Sequence, residues 1–306
     1  MLTCVVALLP ISIGALVTTL KAGMAFADWP TSDGQNMLLY PWLNDLRHTD
    51  KFVEHGHRLA GVLIGLVSIG LVTVSFAVKE QKWVKSGAVA ILIAVIAQGL
   101  LGGMRVRMDE QVLAMTHSIT GGLFFTLTFL FALAVNRTSA TTAKHSSKAV
   151  LGPATAAMVM VLPLAILGQY VLGGFFRHLN RMLHEHVGGA VIVGFLTAFV
   201  VTALLRSELP IVRRRARWLL LAVLIQIGLG LGAWVTRMGL PSLGWVATVN
   251  SMPQNIICSL HTVGGMFLLA TSSAAASEIA VQIRMGRLQL QSSGHGQSLS
   301  STGGIS

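Results

Sequence analysis

Eight long apolar runs leave this chain little choice of fold. They lie near residues 2–20, 53–78, 87–104, 112–135, 151–171, 184–205, 218–235 and 256–276, and each is long enough to cross a bilayer as a helix. Within lipid every backbone N–H and C=O must be satisfied by the protein, so only helices and closed barrels can span it. Runs of this length are helical. The expected fold is therefore all-α: a polytopic membrane protein with eight transmembrane helices. Only 11% of the 306 residues are charged, against about a quarter in a soluble domain. The first run has no basic segment ahead of it and reads as a retained span rather than a removable signal.

The net charge of +11 sits in the short segments between the runs. There it sets topology and does not mark a nucleic-acid surface. The segments after the second, fourth, sixth and eighth runs hold 13 of the 22 Lys and Arg residues and only three of the 11 acidic ones. The positive-inside rule then places both termini in the cytoplasm of a cell-membrane protein. The longest outer segment, 23–52, contains Asp28-Trp29-Pro30 and Pro41-Trp42 and reads as an interfacial lid. Residues 291–306 are rich in Ser, Gly and Gln and read as a disordered cytoplasmic tail. Cys4 and Cys258 fall on opposite faces in this topology, too far apart for a disulfide.

The chain also repeats itself. Residues 1–148 and 149–290 read as two copies of a four-helix unit, giving two pseudo-symmetric bundles related by an axis along the membrane normal. His57 in the second span answers His186 in the sixth, and His117 in the fourth answers His261 in the eighth. The third span ends in Gln98-Gly99-Leu100-Leu101-Gly102-Gly103 and the seventh in Gln226-Ile227-Gly228-Leu229-Gly230-Leu231-Gly232.

These four histidines carry the candidate chemistry, because an ionisable group inside a bilayer is costly and points to function. All four lie at similar shallow depth, and each is followed four residues on by a small residue: Gly61, Gly121, Ala190 and Gly265. Positions i and i+4 share a helix face, so each imidazole has a flat strip beneath it. A porphyrin needs such a strip if its plane is to lie against the helix while the imidazole reaches the iron. The competing reading is that small residues simply pack membrane helices; four occurrences with internal repetition favour haem. A zinc site fits less well, since the close pairs His55/His57 and His184/His186 are two residues apart on a helix and diverge. His55 and His184 read as interfacial polar residues, with His184 an alternative ligand. His48 and His178 in outer loops, His145 in an inner loop and His295 in the tail are given no role.

Glu54 precedes His57 by three residues, on the same face. It reads either as a solvated carboxylate at a helix start or as a group that accepts protons or steadies positive charge beside a haem. Its counterpart in the second half is Leu183, which suggests one catalytic and one supporting haem. Arg105, Arg107, Arg177, Arg181 and Arg237, at the outer ends of the third, fifth and seventh spans, are candidates for pairing with haem propionates.

Together these residues resemble the haem A synthase family of bacteria and mitochondria over nearly the whole chain. The resemblance rests on Glu54-x-x-His57-Arg58, on the single histidines His117 and His261, on Gly23-Met24 with Asp28-Trp29-Pro30, and on the glycine-rich ends of the third, fifth and seventh spans. It implies oxidation of a haem O methyl group to formyl, giving haem A. It further implies that His57 and His117 flank the substrate haem with Glu54 beside it, and that His186 and His261 hold a haem b that passes electrons. Three departures stand out: Val187 follows the second-half histidine where the family often has Arg, His184 offers a second ligand, and the first outer loop has no cysteine pair.

The leading expectation is thus a membrane oxidoreductase making haem A from haem O by successive hydroxylation, partnered by membrane lipid, a haem O synthase and an electron donor or acceptor. The competing classes are a non-catalytic dihaem cytochrome b carrying electrons from quinol, and a haem carrier. Glu54, present in one half alone, favours the enzyme.

Overall fold

The computed structural model describes residues 1–138 and 149–290; His145, His295 and the tail reading for 291–306 lie outside the described residues. The helices are α1 (Leu2–Thr19), α2 (Thr49–Ala77), α3 (Lys82–Met108), α4 (Gln111–Thr138), α5 (Pro153–Leu179), α6 (Leu183–Leu205), α7 (Pro210–Met238) and α8 (Met252–Arg284). All eight are long and apolar enough to cross a membrane. The protein is an all-α multi-pass membrane protein. One addition to the expected fold is a small parallel pair, β1 (Ala149–Leu151) and β2 (Leu288–Leu290).

Most helices overrun the apolar runs that announce them. α5 continues to Leu179, and α7 starts at Pro210. An apolar run marks only the stretch suited to hydrocarbon, whereas backbone hydrogen bonding continues through the polar boundary until a cap stops it. Proline in the first turn opens α5, α7 and α8, where its missing N–H costs nothing. Asp109 and Asn180, both left-handed, close α3 and α5; short polar side chains tolerate that conformation. One consequence corrects the sequence reading: His178 lies in the last turn of α5 rather than in a loop.

Helices α1 to α4 close a ring of neighbours, α5 to α8 close another, and the rings meet through α1 with α8, α4 with α5, and α4 with α8. The first core is built on Ala7, Ile64, Ile91, Val95, Phe124 and Phe125, joined by Met266 and Ala270 of α8. The second is built on Val159, Leu162, Val200, Leu204, Leu219 and Ile279.

Polar clamps tie the rings at both ends. Thr19, at the end of α1, shares a 2.9 Å hydrogen bond with Ser259 near the start of α8. His178 of α5 and Ser118 of α4 are 3.1 Å apart. Ends of odd-numbered helices therefore meet starts of even-numbered ones at one end of the molecule, the histidine end. At the opposite end Glu278, 1% exposed, accepts from Arg137 of α4, from Arg215 of α7 at 3.4 Å and from Gln282 at 2.7 Å. A buried carboxylate persists only with such partners. Cys4 and Cys258 are both free and sit at opposite ends.

Candidate functional site

The four histidines come together as two pairs. The rings of His57 (α2) and His117 (α4) have centres 6.2 Å apart and planes at 85°. His186 (α6) and His261 (α8) repeat this at 6.2 Å and 80°. Two imidazoles bonded to opposite sides of one metal ion at about 2.0–2.1 Å, each bonding nitrogen about 1.1 Å from its ring centre, have centres roughly 6.3 Å apart. Both pairs match that span. Among the described residues no cluster of three or more His, Cys, Asp or Glu could hold a metal, so each pair offers two ligands alone. That suits an iron whose other four positions are filled by a macrocycle.

Each ring is seated against a glycine of the preceding helix. A Cβ at Gly14 would stand 2.7 Å from Cε1 of His57; at Gly102, 3.1 Å from the same atom of His117; at Gly173, 2.9 Å from that of His186; and at Gly230, 3.1 Å from that of His261. Every helical hairpin thus supplies a ring and its seat. Sequence reasoning missed this, because it sought small residues on the histidine's own helix. The signal was a glutamine four residues before the seat in three hairpins: Gln98, Gln169 and Gln226, with Pro10 in the fourth.

In the second half those glutamines hold the rings. Nε2 of Gln169 lies 3.0 Å from Nδ1 of His186 and donates to the His186 carbonyl at 2.6 Å, and Nε2 of Gln226 lies 3.2 Å from Nδ1 of His261. Oε1 of both glutamines lacks a partner. With either amide turned over, that oxygen would accept the Nδ1–H that a metal-bound imidazole carries. These contacts engage Nδ1 and leave Nε2 for an ion between the rings. In the first half, Nδ1 of His57 and of His117 are buried with no side-chain partner, and the rings face the backbone of Pro10 and of Gln98.

The strips beneath the rings differ between the halves. Positions Gly61 and Gly121 are open, with no atom within 4 Å of a built Cβ, whereas Gly265 is covered by Tyr170 at 3.1 Å. The expectation of a clear strip beneath every histidine fails at His261. His184 is exposed, and the ring that meets His261 is that of His186. His55 is 1% exposed, beneath Tyr40 and Phe26, with Nδ1 3.3 Å from Ser32 Oγ.

Glu54 is 3% exposed, which removes the reading as a solvated helix-start carboxylate. Its Oε2 accepts from the N–H groups of Ala25 at 2.7 Å and Phe26 at 3.2 Å, and its Oε1 accepts from Arg58 at 2.8 Å. Arg58 in turn donates to the carbonyls of Asp28 at 3.0 Å and Thr31 at 2.7 Å. Arg105 of α3 donates to the Gly23 carbonyl, and the Trp29 ring lies against Gly103. The segment 23–32 is thereby stitched over the mouth of the first ring of helices. Trp42 completes this lid, stacking on Phe52 at 4.7 Å and donating to its carbonyl at 2.8 Å.

The candidate arginines separate into different environments. Arg177 donates to Ala15 and Thr19 of α1 and to Cys258 and Thr262 of α8, so all its contacts tie helices together. Arg237 lies 4.6 Å over the Phe176 ring. Arg107 and Arg181 are exposed.

Residues 1–185 match the family model for COX15-CtaA, the cytochrome oxidase assembly proteins. The chain belongs to this family. The match takes in Glu54, His57 and His117 and stops one residue before His186. A heme A synthase of Cereibacter sphaeroides is 33% identical over 131 residues, covering 38% of this chain and 33% of that protein. A heme A synthase of Methylobacterium radiotolerans is 29% identical over 105 residues, covering 32% and 28%. The chain thus spans about a third of the length of the relatives it matches.

Proposed function

We propose that this protein is a membrane oxidoreductase that converts haem O to haem A, by stepwise hydroxylation of one porphyrin methyl group to formyl, for terminal oxidase biogenesis. The observation that carries the reading is the His57–His117 pair, spaced for one iron above open strips at Gly61 and Gly121, in a chain of the cytochrome oxidase assembly family. The names of the two relatives support it. His57 and His117 would hold the substrate haem, and His186 and His261 a resident haem b. The haem supplies the redox chemistry when bound; the protein supplies ligation, orientation and electrostatics.

Glu54 is the proposed catalytic carboxylate. Three donors already engage it, which favours steadying positive charge beside the first pocket over shuttling protons. The Glu54–Arg58 pair and Arg105 also hold the lid that screens the pocket from water. The two helical rings serve as an N-terminal substrate half and a C-terminal haem b half, pseudo-symmetric in ligand and seat. In this reading both termini face the cytoplasm from the cell membrane, so that tags near Arg287 and near Gly34 should be accessible from opposite sides.

The decisive test is to purify the protein from cells that make haem O and identify the extracted haem chromatographically. Haem A or hydroxylated haem O is expected. Haem b alone would overturn the enzyme reading in favour of a dihaem cytochrome.

A further inference from the structure

Gly121 and Gly265 occupy matching positions, four residues after His117 and His261, one turn deeper than the imidazoles. Their surroundings differ. Gly121 is open, while Cδ2 and Cε2 of Tyr170 stand 3.1 and 3.3 Å from a Cβ built on Gly265. The opposite edge of the same ring lies 3.4–3.6 Å from a Cβ built on Gly122 of α4. Tyr170 is thus wedged between two glycines, one from each half, packs on the first core, and covers the strip one turn below His261 at a depth where the strip below His117 is open. The position in α1 that matches Tyr170, three before the seat glycine, is Ile11. It comes within 4 Å of neither Gly61 nor Gly121.

Haem O and haem b share a porphyrin core with two propionates, and haem O adds a long isoprenoid tail on the far side of the macrocycle. A macrocycle with its anionic edge toward the basic residues of the histidine end directs that tail inward, past the level of Gly121 or Gly265. We propose that Tyr170 determines which haem each pocket takes, its ring occupying in the second pocket the space that the first leaves open for the tail. This rests on the two-pocket reading above and adds the residue that tells the pockets apart. Bulk is the operative property, because the Tyr170 hydroxyl has no hydrogen-bond partner.

The test uses full-length protein carrying His57→Ala and His117→Ala, so that only the second pocket binds. Equimolar haem B and haem O are offered, the bound haem is extracted and quantified, and the low-spin spectrum is recorded. With Tyr170 in place, haem B should be preferred by about tenfold or more, the scale on which a pocket rejects extra apolar bulk. Tyr170→Phe should keep that preference. Tyr170→Leu and Tyr170→Ala should each lose most of it while retaining the low-spin spectrum. Full preference in both truncated variants, or none with Tyr170 present, would overturn the inference. Absence of any low-spin haem with Tyr170 present would instead overturn the haem b assignment on which it rests.

Discussion

Replacing Glu54 with Gln removes one charge from a pair whose side chains are 4% (Glu54) and 7% (Arg58) exposed, so solvent screening offers little relief. Stranding one member of a buried ion pair costs about 3–5 kcal/mol. Gln retains an acceptor for the Ala25 and Phe26 N–H groups, and Arg58 keeps the carbonyls of Asp28 and Thr31, which puts the cost at the low end. The loss should fall on the lid, since the clamped groups belong to 23–32, and about 3 kcal/mol is roughly a 100-fold change in an opening equilibrium. Hydrogen exchange at Ala25 and Phe26 should accelerate by about that factor, with helix-core amides unaffected. Replacing Arg58 with Met in the same chain removes the stranded charge and should recover part of the protection. Unchanged exchange in Glu54→Gln, or a double variant looser than the single, would refute the clamp. The same pair of variants separates two roles in turnover. If haem A formation returns with lid closure, Glu54 acts by positioning the lid; if the lid closes and product stays absent, the carboxylate charge itself is required.

Three further outcomes are expected. His186→Ala and His261→Ala should each abolish the low-spin absorption of the second pocket, while His184→Ala leaves it intact. Gly14→Ala, whose Cβ would stand 2.7 Å from the His57 ring, should cost about 1–3 kcal/mol of thermal stability as an overpacked contact and weaken haem titration at the first pocket more than Gly102→Ala, where the gap is 3.1 Å. Burial raises the Asp28 carboxyl, but hydrogen bonds from Thr31, Gly34 and Asp33 outweigh it and hold the group below its ordinary value. A lowered folded value gives stability that is present above the unfolded value and lost as pH falls through the folded one. Protection at Asp33 and Gly34, measured against the intrinsic exchange rate, should therefore fall below about pH 4, and Asp28→Asn should remove that pH dependence.

The membrane class, the number of helices and the four inward histidines were legible because hydropathy and intramembrane charge are properties of single segments. Partnerships across segments were not. That Gly14 seats His57, that Gln226 holds His261 and that Tyr170 covers Gly265 depend on which helix lies beside which, and that is fixed only by packing. Glu54 shows both sides of this. Its spacing from His57 marked it, but no local pattern could show that its partners are Arg58 and two amides 28 and 29 residues earlier. His178 was misplaced for a simpler reason: polar residues that end an apolar run do not end a helix.

The two pairs share a spacing but not a support, and the difference bears on their proposed duties. A ring whose Nδ1 is met by a glutamine amide is fixed in orientation, as the support behind a lasting metal ligand requires; His186 and His261 have this support. His57 and His117 lack that glutamine side chain and meet only the backbone of Pro10 and of Gln98. Their pocket instead has an open strip and a lid held by Glu54, Arg58 and Arg105. Firm rings and a filled wall suit a haem that stays. Less constrained rings, open depth and a clamped cover suit a haem that must enter, react under exclusion of water and leave.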